Sequence, residues 1–162
     1  MTVEPSKLLA IYARDLLQQP EGEVVVLGRA NIDQDDLTSL RIAIDANGIA
    51  TPMNTSEQYD GDAEEMTHAQ QWKQSCVINF YGDGAWQEAQ KLILLNRSQT
   101  AYELQRDSGL SVFLASSITD VKMLTGEKFS NRFELAVNVQ YTLSVTETVL
   151  RIDEAQFTTI ED

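Results

Sequence analysis

The segment from Phe133 to Val145 alternates apolar and polar residues more regularly than any other part of the chain. Successive side chains of a strand point to opposite faces, so this pattern predicts a core strand with one buried face. At about 3.3 Å per residue its 13 residues would span roughly 43 Å, well beyond a usual strand of about five or six residues. Such a strand either bends around a small core or projects beyond it. The predicted inward residues are Phe133, Leu135, Val137, Val139, Tyr141, Leu143 and Val145.

The N-terminal third predicts one helix followed by short strands. In SKLLAIYARDLLQQ, the residues Leu9, Tyr12 and Leu16 fall on one face of a helix, and Pro20 ends it. EVVVLG predicts a short buried strand, and the polar NIDQDDLTS predicts a loop. LRIAIDANGIATPM alternates and contains Asn47-Gly48, the residues that a tight turn favours, so we expect a hairpin there.

The middle of the chain predicts a strand and two helices. Residues 54–67 are acidic without apolar periodicity, so they are expected to form an exposed loop or a long hairpin tip. QWKQSCVINFYG then alternates as a strand with one buried face. Beyond it, an amphipathic pattern predicts a helix from Ala85 to about Arg97. A capping box at Thr100 and Glu103 predicts the start of a second helix, which Gly109 ends.

These elements predict an α+β class with a mainly antiparallel sheet, on which an N-terminal helix and two central helices pack. A chain of 162 residues with 43% hydrophobic content can bury one sizeable core, so residues 1–162 are expected to form a single domain.

Composition excludes several classes of function. The 25 acidic and 12 basic residues give a net charge of -13, which repels a phosphate backbone, so sequence-specific nucleic-acid binding is not expected. The lone Cys76 cannot form an intrachain disulfide, and MTVEPSKLLA has no basic leader. No apolar run approaches the roughly 20 residues of a membrane span. We therefore expect the protein in a reducing, aqueous compartment.

The tripeptide Gly82-Asp83-Gly84, between the predicted strand and helix, has the local order of a phosphate-binding loop. A Walker loop requires a lysine and a hydroxyl after its last glycine, and a dinucleotide fingerprint requires a third glycine. Here Trp86 and Glu88 follow instead, with bulk and negative charge. We therefore expect the glycines to form a structural turn and Asp83 to cap the helix.

Three further patterns could carry chemistry. The acidic cluster of Asp60, Asp62, Glu64 and Glu65 could surround a cation, but it lacks the spacing of a calcium loop. His68 and Cys76 could form a nucleophile pair, although Cys76 falls on the apolar side of its strand, where a thiol usually packs. Four aromatic residues could be core residues or interface anchors: Trp72, Tyr81, Trp86 and Tyr102.

The order of residues from Trp72 to Phe157 carries more information than any of these motifs. It contains INFYGDGAWQEAQKL, then ELQRDSGLSVF, SSITDVKMLTGEKFSNRFELAVNVQYTLSV and LRIDEAQF. This order resembles the tail or neck terminator proteins of tailed bacteriophages and prophages, over more than half of the chain. The acidic stretch from Asp60 to Glu65 is not part of the pattern.

The resemblance implies a non-enzymatic α+β subunit of a homo-oligomeric ring, usually a hexamer, at the head-proximal end of the tail. The ring ends tail-tube growth and joins the tail to the head-neck connector. Its implied partners are further copies of itself, the tail-tube protein and head-completion or connector proteins, in a virion assembled in the host bacterial cytoplasm. No cofactor or catalytic residue is implied.

The same resemblance implies that DNA passes through the ring without specific binding. An acidic bore suits that passage, so Asp60, Asp62, Glu64 and Glu65 are candidates to line it. The alternatives are another phage connector, such as a head-completion or tail-tube protein, or an acidic metal-binding module.

Overall fold

The computed structural model describes residues 4–27, 42–46, 48–121, 123–125 and 128–149, and these contain three helices and eight strands. The elements in chain order are α1 (Pro5–Leu17), β1 (Val24–Val26), β2 (Ile42–Asp45), β3 (Ala50–Asp60), β4 (Glu65–Tyr81), α2 (Ala85–Leu95), α3 (Gln99–Ser108), β5 (Leu110–Asp120), β6 (Met123–Thr125), β7 (Lys128–Ser130) and β8 (Arg132–Thr148).

The main sheet has six strands. Five of them follow the order β1-β2-β4-β8-β5, and the sixth, β3, pairs with the same edge of β4 as β2 does. Only the pairing of β1 with β2 is parallel, so the predicted α+β class with a mainly antiparallel sheet is confirmed. A separate two-stranded sheet consists of β6 and β7. The assignment of residues 1–162 to a single domain stays a prediction.

The central pair of the sheet, β4 and β8, is unusually long. Each strand has 17 residues, and the antiparallel ladder runs from Glu65 opposite Thr148 to Tyr81 opposite Arg132. Strands in globular proteins usually have about five or six residues. Both strands therefore extend well past the length that a small core can cover.

Helices cover one face of this ladder at the end where β4 ends and β8 begins. Side chains from both strands and all three helices meet there in one hydrophobic cluster. Its buried members include Leu9, Leu17, Ile42, Ile44, Cys76, Ile78, Phe80, Ala89, Leu92, Ala101, Leu135, Val137 and Val139. At this end of β4 and β8, the alternation thus places every second side chain of both strands against the helices.

The alternating strand of the sequence continues beyond this core. Val137 and Val139 are buried, Tyr141 packs partly against the core, and Val145 is 69% exposed. Of the two alternatives that its length left open, bending or projecting, the strand projects. It does so because β5 pairs with β8 only as far as Tyr141, so the neighbouring strand ends where the core ends.

The hairpin predicted at Asn47-Gly48 is wrong. Both β2 and β3 pair antiparallel with β4, one after the other, so the chain does not reverse between them. Asp45 lies opposite Val77 and Ala50 lies opposite Gln74, which leaves two extra residues on the β2 to β3 side. Gly48 occupies this irregular stretch, and a methyl group on its Cα would overlap the backbone carbonyl of Ser75. The glycine is required for close backbone approach, not for a turn.

The first helix agrees with its prediction, since Leu9, Tyr12 and Leu16 are buried and Pro5 stands in the first turn. The strand predicted from EVVVLG is β1, which is half-buried rather than buried because it lies at one end of the strand order. The polar segment NIDQDDLTS lies outside the described residues.

The start of the third helix differs from its prediction. The helix begins at Gln99, and its N-cap, Ser98, lies two residues before the predicted cap. The Ser98 hydroxyl accepts a hydrogen bond of 3.2 Å from the Ala101 amide. The predicted cap at Thr100 is therefore wrong, because an earlier hydroxyl already binds a free amide of the first turn. Gly109 ends the helix with φ 67, as predicted.

Substituting Gly48 with alanine is expected to destabilise the fold by about 2 kcal/mol or more, because the added methyl group cannot avoid the Ser75 carbonyl without moving backbone. Urea unfolding followed by circular dichroism measures this. The matched control is Gly61→Ala in an exposed turn, where the nearest atom would lie at an ordinary 3.6 Å. The control should stay within about 0.5 kcal/mol of the wild type. Equal unfolding midpoints for the two variants would contradict the close approach at Gly48.

Candidate functional site

Beyond the core, three strands continue as a sheet that we call the arm. It consists of β3 (50–60), the turn 61–64, residues 65–72 of β4 and residues 141–148 of β8, with β4 in the middle. The acidic segment 54–67 is thus a long hairpin within this sheet. All 11 residues of β3 are exposed. The arm is consequently a single layer of sheet for much of its length.

The arm has one face with apolar side chains and one that is almost wholly polar. The strand registers assign the side chains to these faces. The apolar face continues the buried face of the core strands and carries Pro52, Thr55, Glu57, Tyr59, Met66, His68, Gln70, Trp72, Tyr141, Leu143, Val145 and Glu147. The polar face carries Ser56, Gln58, Thr67, Ala69, Gln71, Thr142, Ser144 and Thr146.

His68 connects all three strands of the arm on its apolar face. Its Nδ1 lies 3.3 Å from Oε1 of Glu57 on β3, and its Nε2 lies 3.0 Å from Oε1 of Glu147 on β8. The hydrogen bond with Glu147 is the main cause that raises the pKa of His68, and Glu57 raises it further, while partial burial opposes them. A protonated imidazole can donate to both carboxylates at once, so protonation strengthens this cross-strand contact.

In the sequence, His68 is a candidate partner for Cys76 in a nucleophile pair. The two residues lie eight positions apart on β4, which at about 3.3 Å per residue places them roughly 26 Å apart. The Cys76 thiol is buried, and burial raises its pKa to about 11. The two side chains therefore do not form a nucleophile pair. The role of His68 within the arm depends on Glu57 and Glu147, and no local motif marks that combination.

The predicted acidic residues meet at the tip of the arm. One of them makes the turn: Asp60 Oδ1 accepts hydrogen bonds from the amides of Asp62 (3.0 Å) and Ala63 (3.2 Å). Glu64 has a left-handed backbone with φ 54, and Glu65 begins β4. Within the described ranges, no group of three or more His, Cys, Asp or Glu side chains is placed to hold a metal ion.

The Gly82-Asp83-Gly84 segment forms the corner between β4 and α2. Gly82 and Gly84 have φ 84 and φ 93, values that favour glycine, and Gly84 is the N-cap of α2. The predicted capping by Asp83 is wrong, because the cap position falls on Gly84 and no side chain caps this helix. The first turn of α2 is held instead by packing, with Trp86 edge-on to Phe133 at 5.4 Å between ring centroids.

A buried polar contact explains the arginine at the start of β8. Arg132 donates through Nε and Nη2 to Oδ1 of the fully buried Asn79, at 3.2 and 3.0 Å. Its Nη2 also lies 2.7 Å from Glu134, and its guanidinium stands over the ring of Tyr81. These contacts hold the first residues of β8 against the last residues of β4.

A second apolar surface lies away from the arm, between α2 and the edge strand β5. This α2–β5 groove has a volume of about 390 Å³ and is lined by Trp86, Gln90, Ile93, Leu94 and Ile118. Leu94 is 75% exposed and Trp86 is 41% exposed. Of the four aromatic residues considered above, Trp86 and Tyr102 are exposed, whereas Trp72 and Tyr81 are half-buried.

An exposed apolar arm and an open apolar groove are features typical of structural and assembly proteins, which contact their partners through such surfaces. Comparison with known families gives the particular family. The profile of the phage neck terminator protein family matches residues 11–162, so the chain belongs to this family and is a structural protein of the phage neck. The match extends the resemblance over 72–157 almost to the N-terminus. A search of curated proteins found no match.

No helix in the described part of the chain has both the length and the apolar character that a membrane span requires.

The titration of His68 tests the arm. Because His68 is the sole histidine, ¹³C-histidine labelling gives one ring signal. Its pKa is expected above the ordinary value of about 6.5. Glu147→Gln should lower the pKa more than Glu57→Gln, and Glu103→Gln on α3 is the control that leaves it unchanged.

The sign for stability follows from the raised pKa in the folded state. The contribution of His68 to the free energy of unfolding is fully present below its pKa in the unfolded chain, about 6.5. It is lost as the pH rises through the pKa of His68 in the folded protein. Hydrogen exchange of the arm amides, corrected for intrinsic rates, should therefore be slower at low pH. A measured pKa at or below that of free histidine would contradict the contact.

Proposed function

We propose that this chain is the subunit of a homo-oligomeric ring, a hexamer, at the head-proximal end of a phage tail. The ring ends tail-tube growth and joins the tail to the head-neck connector. The observation that carries this proposal is the arm, because a projecting layer of sheet with an exposed apolar face marks a surface for contact with a partner. Membership of the neck terminator family supports assembly with other neck and tail proteins as the means of covering it.

A structural rather than a catalytic role is supported by what the reactive side chains do. The Cys76 thiol packs in the hydrophobic core and has a raised pKa, so it is a poor nucleophile. His68 is held between two carboxylates of the arm. Both side chains therefore make structural contacts. The partners of the ring are its own copies, the tail-tube protein and head-completion or connector proteins, in the virion neck, with assembly in the host bacterial cytoplasm.

The charge of the chain bears on the passage of DNA through the ring. An excess of 13 negative charges cannot all lie at subunit contacts, because like charges there oppose assembly. The tip of the arm concentrates Asp60, Asp62, Glu64 and Glu65 at one end of a projecting sheet. We infer that this tip lines the bore, where carboxylates repel phosphates and let DNA pass without being held. The acidic residues 31–36 of the predicted polar loop NIDQDDLTS are a further candidate to line the bore, and they lie outside the described residues.

The ring itself is tested by native mass spectrometry and sedimentation of the purified protein. We expect a species with the mass of a hexamer of the 18.1 kDa chain, and an annular particle in negative-stain microscopy. Mixed with tails, the particle should cap one end only. A protein that stays monomeric over the accessible concentration range, with and without tails, would overturn the ring.

Neutralising the tip tests its place in the bore. The variant D60N/D62N/E64Q/E65Q should fold and assemble as the wild type does, since an asparagine oxygen can still accept the turn hydrogen bonds of Asp60. In assembled particles we expect slower DNA ejection, because repulsion between the bore and the phosphates is reduced. The difference should shrink as salt is raised, since charges are screened over about 8 Å at physiological ionic strength.

The matched control removes the same number of carboxylates from exposed positions outside the arm, at Glu21, Asp83, Glu103 and Asp107. This variant should eject DNA at the wild-type rate. If both variants slow ejection equally, or if an assembled structure shows the tip on the outer wall, the tip does not line the bore, and the ring assignment still stands.

A further inference from the structure

We propose that the apolar face of the arm of one copy docks into the α2–β5 groove of the next copy, and that this head-to-tail contact is the one that closes the ring. The inference rests on the proposed ring and names the surfaces that form it. Four features of the described residues carry it: an uncovered apolar face, an open apolar groove, the distance between them within one chain, and their charges.

Among the described residues, no second layer covers the apolar face of the arm. Tyr59 is 44% exposed and Val145 is 69% exposed, although both lie on the same face as the buried core residues. Sheets in globular domains bury one face against helices or another sheet. Tyr59, Met66, Leu143 and Val145 surround the His68 contact and together offer a strip of apolar side chains to a partner.

The groove is an open apolar depression on the surface. It is a concave surface whose walls are Trp86, Ile93 and Leu94 of α2 and Ile118 of β5. Leu94 in particular is 75% exposed, the largest exposed fraction among the apolar residues of this surface. Protein interfaces typically contain an aromatic or aliphatic anchor in such a pocket, surrounded by polar residues. In the proposed contact, apolar side chains of the arm are the anchors, and the groove is the pocket that receives them.

Within one chain, the arm cannot fill the groove. Ile118 in the groove pairs with Leu135 of β8, and Val145 lies ten residues further along the same strand. At about 3.3 Å per residue, those ten residues span roughly 33 Å. The two surfaces therefore meet only between different copies.

The charges favour contact between the arm of one copy and the groove of another over contact between two arms. The arm contains six carboxylates and neither Lys nor Arg, so two arms facing each other would repel. By contrast, the exposed Arg97 lies three residues after Leu94, just beyond the end of α2. An acidic arm docked against α2 therefore lies near a cation in sequence. The contact is then between different surfaces on the two copies, which generates a ring when the rotation closes.

Paired cysteine variants test the contact. The full-length variants Val145→Cys and Leu94→Cys replace exposed residues, and the native Cys76 is buried with a raised pKa, so it reacts slowly. We expect a short bismaleimide to cross-link a mixture of the two variants into dimers and to leave each variant uncross-linked when treated separately. The double variant V145C/L94C should give a ladder that ends at the closed ring.

The matched control uses the polar face of the same strand. Thr146→Cys mixed with Leu94→Cys should give no cross-link above background, because residue 146 points away from the apolar face. Cross-links in Val145→Cys by itself would show arm-to-arm contact, and cross-links of Val145→Cys to the tail-tube protein in tail mixtures, without copy-to-copy products, would show another partner. Either result overturns the proposal.

Charge substitutions give a second, independent measurement. Val145→Asp should weaken assembly at least tenfold in sedimentation, whereas Thr146→Asp should change it little, and both should keep the wild-type melting temperature. A wild-type ring that persists in Val145→Asp and shows no Val145-to-Leu94 cross-link would overturn this contact and leave the ring standing. A wild type that never assembles would overturn the ring itself, so the two failures are distinguishable.

Discussion

The antiparallel pairing of β4 with β8 joins the hydrophobic core and the exposed arm in one continuous ladder. Helices cover one end of it, where Ile78 pairs with Leu135, and no second layer of the described chain covers the end where Glu65 pairs with Thr148. The register of the buried end therefore sets the register of the exposed end. A slip of one residue would turn every side chain of β8 to the opposite face, which would bury polar residues and move Val145 to the polar face of the arm. Core packing thus decides which surface the arm presents.

The same ladder explains how the arm keeps its shape without a covering layer. His68 contacts carboxylates on both neighbouring strands, and on the opposite face the hydroxyls of Thr67 and Thr146 lie 3.0 Å apart. At the base of the arm, the close approach of Gly48 to Ser75 lets β2 and β3 follow the same edge of β4 in succession. These contacts hold the three strands of the projecting sheet together.

Much of the fold could be predicted from local patterns, and the errors share a cause. The helices and the long strands follow from side-chain periodicity, because one buried face imposes it. The predictions of turns and helix caps failed where the same residue types fit several local structures. Asn47-Gly48 is typical of a tight turn, but the glycine is needed for close backbone approach to a distant strand. Asp83 and Thr100 are suitable caps, but the caps fall on Gly84 and Ser98. The choice between neighbouring candidates depends on where tertiary contacts begin and end each helix.

The amino-acid sequence by itself determined the class of the fold, its long strand of alternating residues, its acidic character and the resemblance to neck terminators. These are local or additive properties, so they can be read one segment at a time. Only the tertiary structure decided that the long strand projects, that His68 lies between Glu57 and Glu147, and that the arm and the α2–β5 groove are separate surfaces. Glu147 is 79 residues from His68 along the chain, and the contact exists because β4 and β8 pair in one register. Such pairings follow from the packing of the whole core, which no single segment encodes.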